Sequence, residues 1–167
     1  MIRPAGPQDV PFLRDMLRHA YYWRVDRVSE SGEPPVRRYV ERWGRPGDTA
    51  LIAIQDFQRV GAAWYRLFKG DNAGYGFVDE QTPELSIAVV PSRRGAGLGS
   101  ELLDALLAQA RTDGYGAISL SVEKESPAVG LYERHGFARV RDDDGGVTMR
   151  AELTAAAAGQ PSSAPAD

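Results

Sequence analysis

Two hydrophobic periods alternate along this chain, and their order predicts a mixed α/β fold. Phe12, Leu13, Met16, Leu17 and Ala20 recur at the spacing of an amphipathic helix, which predicts one over residues 8–22 with Pro7 suited to its first turn. Residues 1–3 read as a short first strand, and residues 33–43 as a weaker helix candidate with Pro34 and Pro35 near its start. Residues 49–54 and 60–68 are apolar, β-prone runs joined by a polar turn, and they predict a hairpin. Residues 69–83, rich in Gly, Asn and Asp, read as a loop before a strand over 85–90. Leu98, Leu102, Leu103, Leu106, Leu107 and Ala110 then share one side of a helix that stops at Gly114. Ile118, Leu120 and Val122 alternate as in a strand over 117–122, residues 127–135 predict a short helix ended by Gly136, and 137–141 with 147–153 predict a last hairpin.

Composition narrows the class. With 167 residues, 43% apolar and 26% charged, the chain is long enough for one sizeable core. That single domain is expected over residues 1–153. Residues 154–167 are Ala, Pro, Ser and Gly with almost no bulky side chain, and are expected to form a disordered tail. A net charge of −3 gives no reason to expect a nucleic-acid partner. No apolar run approaches the roughly 18 residues of a membrane helix, and the N-terminus lacks a signal-peptide core, so a cytoplasmic protein with no membrane partner is expected. The absence of cysteine removes disulfides, thiolate metal sites and a cysteine nucleophile. Neither His19 nor His135 has companions that suggest a metal site, and none is expected.

The candidate chemistry lies where the strand over 85–90 turns into the long helix. Arg94-Gly95-Ala96-Gly97-Leu98-Gly99-Ser100 occupies that turn. Glycines let the backbone bend and approach a ligand, and the first amides of a helix lack intrahelical partners and sit at the positive end of its dipole. Arg94 adds formal charge, so the loop suits a pyrophosphate. A P-loop is excluded because Gly99 is followed by Ser100 and Glu101 rather than Lys and Ser or Thr. A dinucleotide fingerprint fits nearly, but it normally opens a doubly wound sheet, and about ninety residues precede this loop.

The third candidate is a coenzyme A loop. Residues Val89 to Gly99 resemble the acyl-CoA signature of the GNAT N-acetyltransferase superfamily, Arg/Gln-x-x-Gly-x-Gly/Ala, through Arg94, Gly97 and Gly99. A second block, Ser126-Pro127-Ala128-Val129-Gly130-Leu131-Tyr132-Glu133-Arg134-His135-Gly136-Phe137, is similar to the family's Asn-Pro-Ala-x-x-Leu-Tyr-x-x-x-Gly-Phe segment. The resemblance implies a central mixed sheet of about seven strands flanked by about four helices, with two parallel strands splayed at the acyl-CoA site. It implies acetyl transfer from acetyl-CoA, as co-substrate, to a primary amine on a small molecule or peptide, by direct attack in a ternary complex. A homodimer is the family-level expectation.

The resemblance also assigns roles. Tyr132 is expected to be the acid: its phenol, with an ordinary pKa of about 10, keeps its proton and can donate to the leaving sulfur. Glu84, at the start of the central strand, is the expected base. The Val89 amide is expected on the acetyl carbonyl. Arg94, Gly95, Ala96, Gly97, Gly99 and Ser100 are expected to cradle the pyrophosphate. Ser126 stands where the family often has Asn, and a shorter side chain there changes the local contact with the CoA arm. His135 reads as a helix-end residue. Tyr21, Tyr22, Trp23, Tyr75 and Phe77 either frame the acceptor or belong to the core under the long loop. A non-catalytic acyl-CoA-binding module of the same fold is the rival reading, with a nucleotide-binding Rossmann-like protein third.

Overall fold

The computed structural model describes residues 1–25, 36–143 and 145–153. Seven strands, β1 (Ile2–Pro4), β2 (Thr49–Gln55), β3 (Gln58–Arg66), β4 (Glu84–Val89), β5 (Ala117–Glu123), β6 (Phe137–Asp142) and β7 (Gly146–Glu152), form one sheet in the order β1-β2-β3-β4-β5-β7-β6. Every neighbouring pair is antiparallel except β4 and β5. The helices are α1 (Val10–Ala20), the single turn α2 (Tyr22–Val25), α3 (Leu98–Thr112) and α4 (Ala128–Arg134). Among the described residues three helices pack on the sheet, with α2 continuing α1, and the mixed sheet flanked by helices is the expected fold.

Period-two alternation decides which layer each strand residue joins. Leu51, Ala53, Ala63, Tyr65 and Leu85 face the layer of α3 and α4, packing with Leu102, Leu103, Leu106, Val129 and Tyr132. Ala50, Ile52, Ala62, Trp64 and Ala88 face the other way, against Leu13, Met16, Leu17, Tyr21 and Tyr39. Both faces of the central strands are thus covered, which is why β2 and β3 read as nearly continuous apolar runs.

The first helix departs from the expected continuous 8–22. A 3-10 turn, Pro7–Asp9, precedes α1, and Tyr21 leaves helical geometry at φ −126°, ψ 34°. Its ring stacks on Tyr39 with centroids 4.6 Å apart, so tertiary packing at Tyr21 overrides the helical period. Of the weaker helix expected over 33–43, the described part holds only the 3-10 turn Val36–Tyr39; residues 33–35 lie outside the described residues, as does the tail from 154. Among the described residues no helix is long and apolar enough to cross a membrane.

Two buried ion clusters lock the α1 side. Asp9, fully buried, accepts hydrogen bonds from Arg3 at 2.7 and 3.0 Å, Arg59 at 2.7 Å and the Gly6 amide at 2.7 Å. Its carboxyl is held well below the usual range, chiefly by the Arg3 hydrogen bond. Arg66 pairs with Asp48 through Nε at 2.9 Å and through its terminal nitrogen at 2.8 Å, and both side chains are buried. The feature that positions the site is the β4–β5 pair. These strands share one bridge, Glu84 with Ser119, and separate beyond it toward their C-terminal ends.

Candidate active site

The gap between β4 and β5 opens into a cavity of about 700 Å³. Its walls come from β4 beyond its first residue (Leu85 to Val89), the loop carrying Arg93, Arg94, Gly95 and Gly97, the first turn of α3, the end of β5 and helix α4. His19 to Trp23, spanning the end of α1 and the start of α2, close the remaining side. One continuous space therefore joins the glycine loop to the phenol of Tyr132.

At the loop, Gly97 caps α3 in the left-handed conformation (φ +81°) and Gly95 has φ +87°. An L-residue is strained at both. A Cβ built on Gly95, Gly97 or Gly99 would meet nothing within 4 Å, so no neighbouring protein atom fills the space over these positions. Arg94 Nε donates to Val89 O at 3.1 Å, which sets its guanidinium over the end of β4. Arg93 instead donates to Gln55 at 2.8 Å and Asp56 at 3.3 Å, tying the loop to the β2–β3 turn. Arg93, Arg94 and Arg134 line the cavity against one carboxylate, Glu123, and so favour an anionic occupant. Ala96 is the single cradle residue of the sequence reading that does not line the wall.

The antiparallel ladder fixes which amides face the gap. Val90 N–H donates to Val60 O at 2.8 Å, and Val89 is the register partner of Gly61. Amide directions alternate along such a ladder, so the N–H groups of Ile87 and Val89 point to the β5 side, where the strands have parted. The sequence reading named Val89; Ile87 shares its geometry.

Across the gap, Tyr132 is 7% exposed, lines the cavity and meets Phe137 edge-to-face at 5.8 Å. Burial raises its phenol above the ordinary value, so it carries its proton throughout the neutral range. Ser126 lines the wall and accepts the Ala128 amide at 3.1 Å, holding the start of α4. His135, also on the wall, bridges α4 to α3: its Nδ1 is 2.9 Å from Leu131 O and its Nε2 2.9 Å from Asp104 Oδ1, with Ser100 Oγ at 3.5 Å.

Glu84 is placed differently. It is 1% exposed and is not among the residues lining the cavity. Its Oε2 accepts the Tyr39 hydroxyl at 2.5 Å and the Gly76 amide at 3.0 Å. Two residues on and on the same face, Ser86 Oγ lies 2.7 Å from the Tyr21 hydroxyl, and both Ser86 and Tyr21 line the cavity. Tyr75 packs in the core with Tyr21 and Tyr39, which settles it as core, while Tyr21, Tyr22 and Trp23 frame the cavity. Sequence reasoning missed Ser86 and Tyr39. The one available signal was Gly74-Tyr75-Gly76, since a Cβ on Gly74 would stand 2.5 Å from Glu84 Oε1 and 2.6 Å from the Tyr39 hydroxyl.

Comparison with known proteins agrees with this architecture. The model of the acetyltransferase (GNAT) family matches residues 11–137. A mycothiol acetyltransferase from Cellulomonas flavigena is 33% identical over 108 residues, 64% of this chain, and the match spans 31% of that relative's length. The ribosomal-protein-alanine N-acetyltransferase of Brucella melitensis superposes with a TM-score of 0.63 at 22% identity, over 92% of this chain and 99% of that one. The PaiA N-acetyltransferase of Thermoplasma acidophilum, solved with coenzyme A, does so with a TM-score of 0.63 at 16% identity, over 91% and 98%. At these identities the structural neighbours speak for the fold.

Proposed function

The chain belongs to the acetyltransferase (GNAT) family, and on that premise we propose that it moves an acetyl group from acetyl-CoA to a primary amine by direct attack in a ternary complex, with residues 1–153 as the catalytic unit. The observation that carries this reading is the single cavity running from the α3 N-terminus, through the β4–β5 gap, to Tyr132 and Tyr21. Donor and acceptor both reach it. The mycothiol acetyltransferase similarity supports acetyl transfer; the acceptor is left to experiment.

In this reading Arg94 and the amides of Gly95, Ala96, Gly97, Gly99 and Ser100 hold the pyrophosphate, helped by the α3 dipole. Ser126 keeps its oxygen on the Ala128 amide and donates its hydroxyl hydrogen to the pantetheine arm. The Val89 amide, seconded by Ile87, donates to the thioester oxygen as it becomes negative. The amine nitrogen bonds to the acetyl carbon, the carbon–sulfur bond breaks, and Tyr132 protonates the departing thiolate. Glu84 receives the proton lost by the amine. No acyl-cysteine forms, because the chain has no cysteine.

The test is thiol release from acetyl-CoA over a panel of primary amines, with products weighed by mass spectrometry. The expected outcome is amine-dependent release of free CoA and an acceptor heavier by one acetyl group. Tight binding of acetyl-CoA that stays intact with every amine would replace this reading by a non-catalytic acyl-CoA-binding module.

A further inference from the structure

Glu84 poses a physical problem for any reaction in the cavity. A carboxylate this buried is costly, and an apolar residue in its place would often stabilise the fold. The protein instead encloses it: Gly76 donates to it, and the backbone at Gly74 and Gly76 lies so close that a Cβ on either would stand within 3 Å of its oxygens. Its connection to the cavity runs through hydroxyls. Tyr39 Oη accepts the Tyr75 amide at 2.7 Å, so its own hydrogen is directed to Glu84 Oε2. The Tyr21 ring stacks on Tyr39 with centroids 4.6 Å apart, and Tyr21 Oη lies 2.7 Å from Ser86 Oγ on the cavity wall. Two hydrogen-bonded pairs, Ser86 with Tyr21 at the cavity wall and Tyr39 with the Glu84 carboxylate, are thus joined by the stacked phenol rings.

We propose that Ser86, Tyr21 and Tyr39 are a proton relay that carries the acceptor's proton from the cavity to Glu84, a proposal that rests on the acetyltransferase reading above. The N–H bond of the attacking amine breaks and its proton goes to Ser86 Oγ. Ser86 passes its own hydrogen to Tyr21 Oη, Tyr21 to Tyr39 Oη, and Tyr39 to Glu84 Oε2, where a carboxyl O–H forms. Each hydroxyl regains what it gives, and no other reactant is needed. Burial and the charge of Glu84 raise both phenols well above their ordinary value, so they act as protonated conduits and not as bases. Two further residues face Glu84: Tyr75, whose ring packs on Tyr39, and Arg66, its register partner on β3, whose guanidinium is committed to Asp48.

The test uses the full chain and two acceptors: the alkylamine turned over fastest in the panel, and the same amine carrying β-fluorines so that it is already neutral at assay pH. Tyr39→Phe and Glu84→Gln should each lower kcat/KM about 100-fold for the alkylamine, the scale of general-base catalysis. The fluorinated amine should lose less than about fivefold, because it needs no base before attack. The double variant should be no slower than the worse single variant. Tyr21→Phe should repeat the pattern, and acetyl-CoA affinity should be unchanged in every variant, which reports that the fold is intact. Equal losses for both amines, or additive losses in the double variant, would overturn the relay while leaving the acetyltransferase reading in place. A wild-type protein that releases no thiol with any amine would overturn both.

Discussion

At the scale of single residues, Tyr132 and Asp9 are buried polar groups in different surroundings: the first lines the cavity, and the second ties elements of the fold together. The Tyr132 phenol lines the cavity with its proton retained by burial, so its removal should touch the chemical step and spare the donor site. Tyr132→Phe is expected to lower kcat by about 100-fold or more, with the acetyl-CoA Kd from calorimetry changed less than about twofold. An unchanged kcat would remove Tyr132 as the acid. Asp9 lies away from the cavity and holds β1, α1 and β3 together through Arg3 and Arg59. Its folded pKa is depressed, so its stabilisation is fully present above the unfolded carboxyl pKa of about 4 and is lost as pH falls through the lower folded value. Asp9→Asn should cost about 1–3 kcal/mol at neutral pH by denaturant melts, and the gap from wild type should shrink below about pH 4. A gap that persists at low pH would mean that packing, not charge, is lost. The sequence motifs point to Arg94 and Tyr132, and both line the cavity. No motif points to Ser86 and Tyr39, because the role proposed for them depends on Tyr21 turning out of its helix, a tertiary event with no local signature.

The elements themselves were largely readable, because α3 obeys the helical period and the strands are short apolar or alternating runs bounded by turns. The expected strands fall within one or two residues of those observed, and α3 carries its buried leucines on the expected side. The 3-10 segments were not readable, since a three- or four-residue turn offers no period to count. The junction of β4 with α3 is where element geometry and ligand chemistry separate most cleanly. Gly99 lies inside α3 with open space around its Cβ position, so the fold has no need of glycine there. Gly99→Ala should leave the melting temperature unchanged or raise it, since alanine gains up to about 1 kcal/mol over glycine in a helix. The added methyl would stand in the space assigned to the pyrophosphate, and the acetyl-CoA Kd should rise about tenfold, or 1.4 kcal/mol. Lowered stability with unchanged affinity would make these glycines a structural turn and nothing more.

For the whole molecule, the consequence of this topology is that the proposed donor site is shared between two packed layers. One wall belongs to the α3–α4 layer and the other to the α1–α2 side, and the only parallel pair in the sheet parts between them. Filling the gap joins β4, β5, α3 and α4 by contacts that the sheet alone does not supply there, so a ligand of the folded state should raise global stability rather than quiet one loop. At a concentration of 100 times Kd, a ligand specific to the folded state contributes about 2.7 kcal/mol. In a domain of this size each kcal/mol raises the melting temperature by about 2–4 °C, which predicts a rise of roughly 5–10 °C with acetyl-CoA. NAD shares the pyrophosphate but not the thioester arm that follows the β4–β5 gap, so it should produce a much smaller rise at the same concentration. Arg94→Glu should cut the acetyl-CoA rise while leaving the ligand-free melting temperature close to wild type, because Arg94 is bonded to Val89 O at an exposed position. A larger rise with NAD would return the glycine loop to the dinucleotide reading, and an acetyl-CoA rise indifferent to Arg94→Glu would take that arginine out of the cradle.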